Sequence, residues 1–136
     1  MIEYPDDFAP SLHQEVFYTD SSSIWICDNI IYIFSHPNIV HTLEHAQASN
    51  AILDKIIPSL SYPMMCDVRH AKPLPKSVRN YYASADGTRH CTKFAFLVAS
   101  SFSRVVANFF IGFSSIEYPI KMFDNITTAT DWCLNK

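Results

Sequence analysis

Glycine is almost missing from this chain, with two residues in 136. That scarcity leaves neither a G-x-G-x-x-G fingerprint nor a P-loop to bring backbone close to a phosphate. Charge is sparse as well. Asp, Glu, Lys and Arg make up 17% of the residues, the formal net charge is −3, and charges of one sign form no runs. The clustered Lys and Arg that mark nucleic-acid binding are therefore lacking, and no nucleic-acid partner is expected. Long apolar runs are missing too: Phe94 to Ala99 and Val105 to Ala107 fall far short of the roughly 20 residues that cross a bilayer, so no transmembrane segment is expected. Cys27, Cys66, Cys91 and Cys133 form no C-x-x-C pair, which indicates neither a zinc knuckle nor a redox dithiol. They are expected to be reduced, with Cys27 and Cys66 serving as small core residues. Met1 to Pro10 is acidic and contains proline, unlike a secretory signal, and a cytoplasmic location is expected.

What is present is apolar and aromatic. Hydrophobic residues make up 49% of the chain, with ten Phe and seven Tyr, a composition that buries a core and is not that of a disordered segment. The length is close to the commonest size of one domain. A single domain over residues 1–136 is expected, with 1–12 as a loosely ordered lead-in.

Hydrophobic spacing orders the elements. Glu15 to Thr19 is a short apolar-aromatic segment, and Ser23 to Cys27 with Ile30 to Ser35 reads as a hairpin closed by Asp28-Asn29, two residues that tolerate turn conformations. From Thr42, a plausible N-cap, Leu43, Ala46, Leu53 and Ile57 fall on one helical stripe that Pro58 stops. Tyr62 to Arg69 reads as a strand buried on both faces. Pro75 suits the first turn of a helix carrying Val78, Tyr81, Tyr82 and Ala85 up to Gly87, and Thr88 to Thr92 is read as a further helical turn. Lys93 to Ala99 is a buried strand, Arg104 to Phe113 an apolar helix, Ile120 to Phe123 a last strand, and Ile126 to Cys133 a closing helix. The order predicts an α/β fold: an N-terminal β-hairpin, then alternating helix and strand, giving a mixed sheet with packed helices.

Three groups of residues carry possible function. His41-Thr42-Leu43-Glu44-His45 fits the H-x-x-E-H zinc-protease pattern, which needs both histidines one turn apart inside a helix. Thr42 as cap places His41 outside, so no metal is expected. At the C-terminal ends of the parallel strands, where open α/β sheets hold ligands, Asp67, Arg69, Lys76, Ser77, Ser101, Ser103 and Arg104 would gather on one rim able to meet an anion or a partner. Asp67 beside Arg69 also suits a structural ion pair. The helix holding Phe109, Phe110 and Phe113 is apolar nearly all round, which suits a protein interface or a homodimer.

The strand ending Cys66-Asp67-Val68-Arg69, the later Arg79-Asn80-Tyr81-Tyr82-Ala83, the stretch Ser103 to Phe110 and the closing Ala129-Thr130-Asp131-Trp132-Cys133-Leu134 together resemble the small uncharacterised bacterial proteins described as STAS/SEC14-like. The resemblance runs from about Glu15 to the end. It implies the SpoIIAA-like fold, shared by anti-sigma-factor antagonists and lipid-carrier domains, and no established activity. Where the antagonists carry a phosphorylatable serine in a D-S-S-G-type motif, this chain has Lys76-Ser77 without the Asp and Gly. The first expectation is a non-enzymatic regulatory or scaffolding module, without cofactor, that binds a protein partner. The alternative is a domain that binds a small anionic ligand or a lipid at the strand-end rim.

Overall fold

The computed structural model describes residues 2–57, 61–82, 84, 91–99 and 118–135. Within them lie β1 (Phe17–Tyr18), β2 (Ser22–Cys27), β3 (Ile30–Ser35), α1 (Leu43–Ile56), β4 (Tyr62–Asp67), α2 (Lys76–Tyr82), β5 (Cys91–Leu97), β6 (Ile120–Phe123) and α3 (Ile126–Leu134). The six strands form one sheet in the order β1-β2-β3-β4-β5-β6. β1, β2 and β3 pair antiparallel, whereas β3 to β6 run parallel. The expected mixed α/β architecture is thus present, and the sheet never reverses its direction of growth.

Local chemistry explains the joints. Asp28 and Asn29 close the β2-β3 hairpin with φ of 50° and 64°, the paired left-handed conformation of a two-residue hairpin turn that these side chains tolerate. Thr42 caps α1: its hydroxyl accepts from the His45 N–H at 3.2 Å, while His45 Nδ1 accepts from the Thr42 N–H at 3.1 Å. A histidine here takes the reciprocal place usually held by Glu or Gln. Asn125 caps α3 through the Thr128 N–H at 3.0 Å. Pro75 stands just before α2, and its carbonyl accepts from Val78 and Arg79.

β4 contains Pro63, which cannot donate to a ladder, and the β4-β5 register shifts between Tyr62 and Met64 at that point, the irregularity with which a sheet interior accommodates proline. The same pairing corrects one expectation. Cys91 and Thr92 belong to β5 rather than to a helical turn, because Cys91 pairs with Tyr62; residues 88–90 lie outside the described set, as do Ala85 and Gly87.

Two cores follow from the pleat, since alternate residues of each strand face opposite sides. One face carries α1 and α2, the arrangement that successive right-handed crossovers in one direction produce. Ile24, Ile31 and Met64 there meet Leu53 of α1 and its C-cap Ile57, and Cys66, Val68 and Phe96 meet Leu74 and Tyr82. On the other face, Trp25, Phe34, Met65, Leu97 and Phe123 pack against Ala129 and Cys133 of α3. Lys93 fastens that helix, donating to the Trp132 carbonyl at 2.7 Å with its ammonium 4.8 Å from the indole centroid, a cation where the helix dipole is negative.

The segment read as a loose lead-in carries side chains that pack on the sheet at Tyr4 and Phe8. Phe8 is 2% exposed and belongs to the α3-side core. Its ring centroid lies 5.5 Å from those of both Trp25 and Tyr32, and Tyr4 packs on Trp25 and Phe34. The segment carries no strand or helix and is held by aromatic side chains covering sheet that α3 leaves open. Cys66 is buried as expected, whereas Cys27 is only half-buried.

Candidate functional site

The rim residues separate into a closed ion network and an exposed edge. Asp67, the last residue of β4, points to the α3 side with a fully buried side chain. Its carboxylate accepts from the Arg69 backbone N–H at 3.0 Å, from Nε at 3.0 Å and from Nη2 at 2.9 Å. The remaining face of the guanidinium meets Asp7 of the lead-in at 2.7 and 3.1 Å. Both carboxylates push the Arg69 pKa further up, and the hydrogen bond from Arg69 holds Asp7 below the usual carboxylate range. One arginine thus balances a buried charge and ties the lead-in to the sheet. Four of its five side-chain N–H donors are spent on protein carboxylates.

Lys76 and Ser77 open α2 and are exposed. Ser101, Ser103 and Arg104 lie outside the described residues, as do Phe109, Phe110 and Phe113. His41 stands before α1, outside the helix, and Glu44 is exposed. The His41 and His45 rings meet edge to face at 6.2 Å, but His45 Nδ1 is occupied by the cap. Among the described residues, no three His, Cys, Asp or Glu side chains are placed to hold a metal ion.

A second feature lies on the other side of the sheet. A slot of about 90 Å3 runs between the sheet and α1 and α2. Its floor is Ile33 of β3, Met64 and Cys66 of β4, Phe94 and Phe96 of β5 and Ile120 of β6, with Leu53, Leu74 and Tyr82 as its cover. From Met64 to Val68 it follows β4 for about 13 Å, at the usual strand rise per residue. It is mostly apolar because both crossover helices present their inner faces to a sheet of aliphatic and aromatic residues.

The thiols and phenols of the slot, and His41, are held neutral. Burial pushes the Cys66 thiol up to about 12 and raises Cys91, Tyr82 and Tyr118 further. Burial, and then the neighbouring His45 and His36, press His41 down to about 4. His41 is 5% exposed, and its Nε2 is buried without a hydrogen-bond partner. Lys72 is the one charged residue among the described residues lining the slot, and it is exposed.

His41 predicts a pH dependence. A histidine near 6.5 when unfolded and near 4 when folded takes up its proton earlier in the unfolded chain. Stability should fall as pH drops from about 6.5 towards 4, by on the order of 3 kcal/mol for this group. His36, pressed down by burial, adds loss of the same sign. Urea unfolding at successive pH values checks this: His41→Phe should flatten the slope between pH 6.5 and 4, and an unchanged slope would refute the assignment.

Sequence reading missed two features. The slot had no signal, because its lining comes from every element of one face. Ser23 and His36 also escaped: Ser23 Oγ and His36 Nε2 lie 2.8 Å apart, Tyr4 donates to Ser23 Oγ at 3.0 Å, and both residues are buried. They join β2 to the end of β3 beneath the lead-in. Antiparallel pairing brings them together, and the only clue was Ser23 opening one hairpin strand while His36 follows the other.

A six-stranded mixed sheet with α1 and α2 over an apolar slot on one face and α3 on the other defines a SpoIIAA-like α/β domain. The model of a domain of unknown function (DUF7793) matches residues 24–135, and the chain belongs to that family. Among solved structures it is similar to an uncharacterised protein of the DUF3478 family with a SpoIIAA-like fold from Shewanella loihica PV-4, with a TM-score of 0.60 at 11% identity, covering 92% of this chain and 98% of that one. That likeness is one of fold. No curated protein matches the sequence. Among the described residues, no helix is long and apolar enough to cross a membrane.

Proposed function

We propose that this domain is a non-enzymatic binding module that takes a small, mainly apolar ligand into the slot between the sheet and α1 and α2. The observation that carries this reading is the slot itself, an apolar cavity with a few polar groups, which is the usual make-up of a small-molecule site. Its chemistry favours binding over catalysis. With Cys66 raised to about 12, His41 lowered to about 4 and the slot's tyrosines raised, neutral pH leaves these groups neither a thiolate nor a strong base.

The rim reading becomes narrower. Asp67 and Arg69 serve the architecture, and the place for a ligand moves to the helix-covered side of the same strand ends. The protein-partner reading through Phe109, Phe110 and Phe113 draws no support from the slot.

Octan-1-ol is a suitable first probe. At tenfold excess over its Kd, a ligand bound only by the folded chain contributes about 1.4 kcal/mol, which should raise Tm by about 4 °C in a domain of this size. Ala71→Trp, placed on the slot lining, should fill the cavity and abolish that rise. No shift in the unmodified chain, or an equal shift in the tryptophan variant, would refute the reading.

A further inference from the structure

We infer that the turn from Pro37 to His45 is an acid-opened gate: protonation of His41 and His45 swings it off the slot and lets the bound ligand leave. This deepens the binding reading above by adding a control to the same site, and it rests on that reading for the ligand alone. Three observations carry it: a single anchor, an acid-labile cap and a lining without a counter-ion.

Residues 37–42 carry no helix or strand, and among residues 37–45 only His41 is buried. Pro37, Asn38 and Val40 before it and Thr42, Leu43 and Glu44 after it are exposed. The His41 ring, which lines the slot, is therefore the anchor that holds this stretch of surface chain to the body of the domain. Local opening begins where so few buried contacts hold the backbone.

The cap of α1 depends on a bare nitrogen, since His45 Nδ1 accepts from the Thr42 N–H at 3.1 Å. An imidazolium has donors on both ring nitrogens and no acceptor, so acid removes that bond. The new charge then stands in the first turn of the helix, where the dipole is itself positive. A glutamine, common at this place in a capping box, would keep its acceptor.

Nothing around His41 offsets a charge on it. His45 faces it from α1 with ring centroids 6.2 Å apart, and His36, just after β3, also disfavours its charged form. His41 lies in the loop after β3 and Lys72 in the loop after β4. Those strands are adjacent and parallel, which sets both residues at one mouth of the slot. Cys66, Cys91, Tyr82 and Tyr118 complete the ionisable lining, and among the described residues no carboxylate belongs to it. Nε2 is buried without a partner, so a charged ring that stayed in place would keep an unpaired donor out of water. The charged ring is therefore favoured outside. With His41 near 4 in the slot and near 6.5 in water, the ratio of open to closed turn should rise about 30-fold from pH 7.5 to pH 5.

Hydrogen exchange of the full chain tests the gate at the Thr42, His45 and Ala46 amides, whose bonds form the first turn of α1. Corrected for the intrinsic effect of pH on exchange, their opening should rise about 30-fold between pH 7.5 and pH 5. The rise should be insensitive to low urea, because a local opening exposes little surface. His41→Phe keeps an anchor that does not titrate and should hold the rise to about threefold or less. His45→Gln keeps the cap and should lower the rise as well, and it serves if the phenylalanine variant does not fold. The exchange rate of bound octan-1-ol, read from NMR line shapes, should increase with the amide opening. A rise that follows urea as the β3 amides do would be global unfolding and would overturn the gate, as would a rise that survives in both variants. Octan-1-ol exchange that ignores the amide opening would also overturn it, whereas failure of octan-1-ol to bind at either pH would overturn the slot reading and leave the turn to be judged by its amides.

Discussion

Arg69→Met should lower the unfolding free energy by about 3–5 kcal/mol, the loss typical when one partner of a buried ion pair is removed. The size follows from what remains. Asp67 has no exposed side-chain surface, and Arg69 supplies two side-chain hydrogen bonds to it at 3.0 and 2.9 Å. Without them a carboxylate stays in the sheet interior with only the residue 69 backbone N–H. Arg69→Lys should give a smaller loss, since an ammonium keeps the charge but cannot reproduce the guanidinium fork. Asp7→Asn should cost little, because Asp7 is exposed and its pair is screened by water. The double change Asp67→Leu with Arg69→Met should recover most of the stability, as replacing a whole buried pair by apolar side chains often does. Urea unfolding of these variants decides the matter. A loss below about 1 kcal/mol for Arg69→Met would mean that Asp67 has access to water or another partner.

Phe8→Ala should cost about 3–5 kcal/mol, the range for deleting a core aromatic ring. Phe8 sits outside every regular element, so a loss of that size would show the lead-in to be part of the core. Its ring meets Trp25 and Tyr32, which are themselves stacked at 5.7 Å. Trp25, 2% exposed with Phe8 in place, should then emit at longer wavelength as water reaches it. A loss under about 0.5 kcal/mol, the range of surface substitutions, with unchanged emission would return the lead-in to the loose segment that its composition suggests.

The contrast between those two residues marks how far the sequence could be read. Asp67 and Arg69 are two apart, in a segment that reads as one strand, so their pairing could be anticipated from the pleat alone. Asp7 lies 62 residues from Arg69, and no local pattern connects them. The β2-β3 hairpin was legible because Asp28-Asn29 is a turn in its own right, and α1 because Thr42 and the apolar stripe agree. The turn read at Thr88 to Thr92 failed where the β4-β5 pairing outweighed local preference and drew Cys91 and Thr92 into β5.

The candidate site was less legible than the fold. His41 drew notice for its H-x-x-E-H setting, and the cap at Thr42 removed the metal reading, but nothing local shows that its ring lies in a slot. Lys72 carries no local mark in the sequence. What made the two a pair is the parallel register of β3 and β4, which brings the loops after them to one end.

Taken alone, the sequence determined the order of elements, the mixed character of the sheet and the residues that turn and cap it. These depend on near neighbours, whose spacing is fixed by backbone geometry. Only the tertiary structure decided that Phe8 completes a core, that Arg69 is spent on two carboxylates, and that one face encloses an apolar slot with His41 and Lys72 at its mouth. Each of these depends on contacts between residues far apart in the chain, which take their places only after the sheet has set the position of every strand.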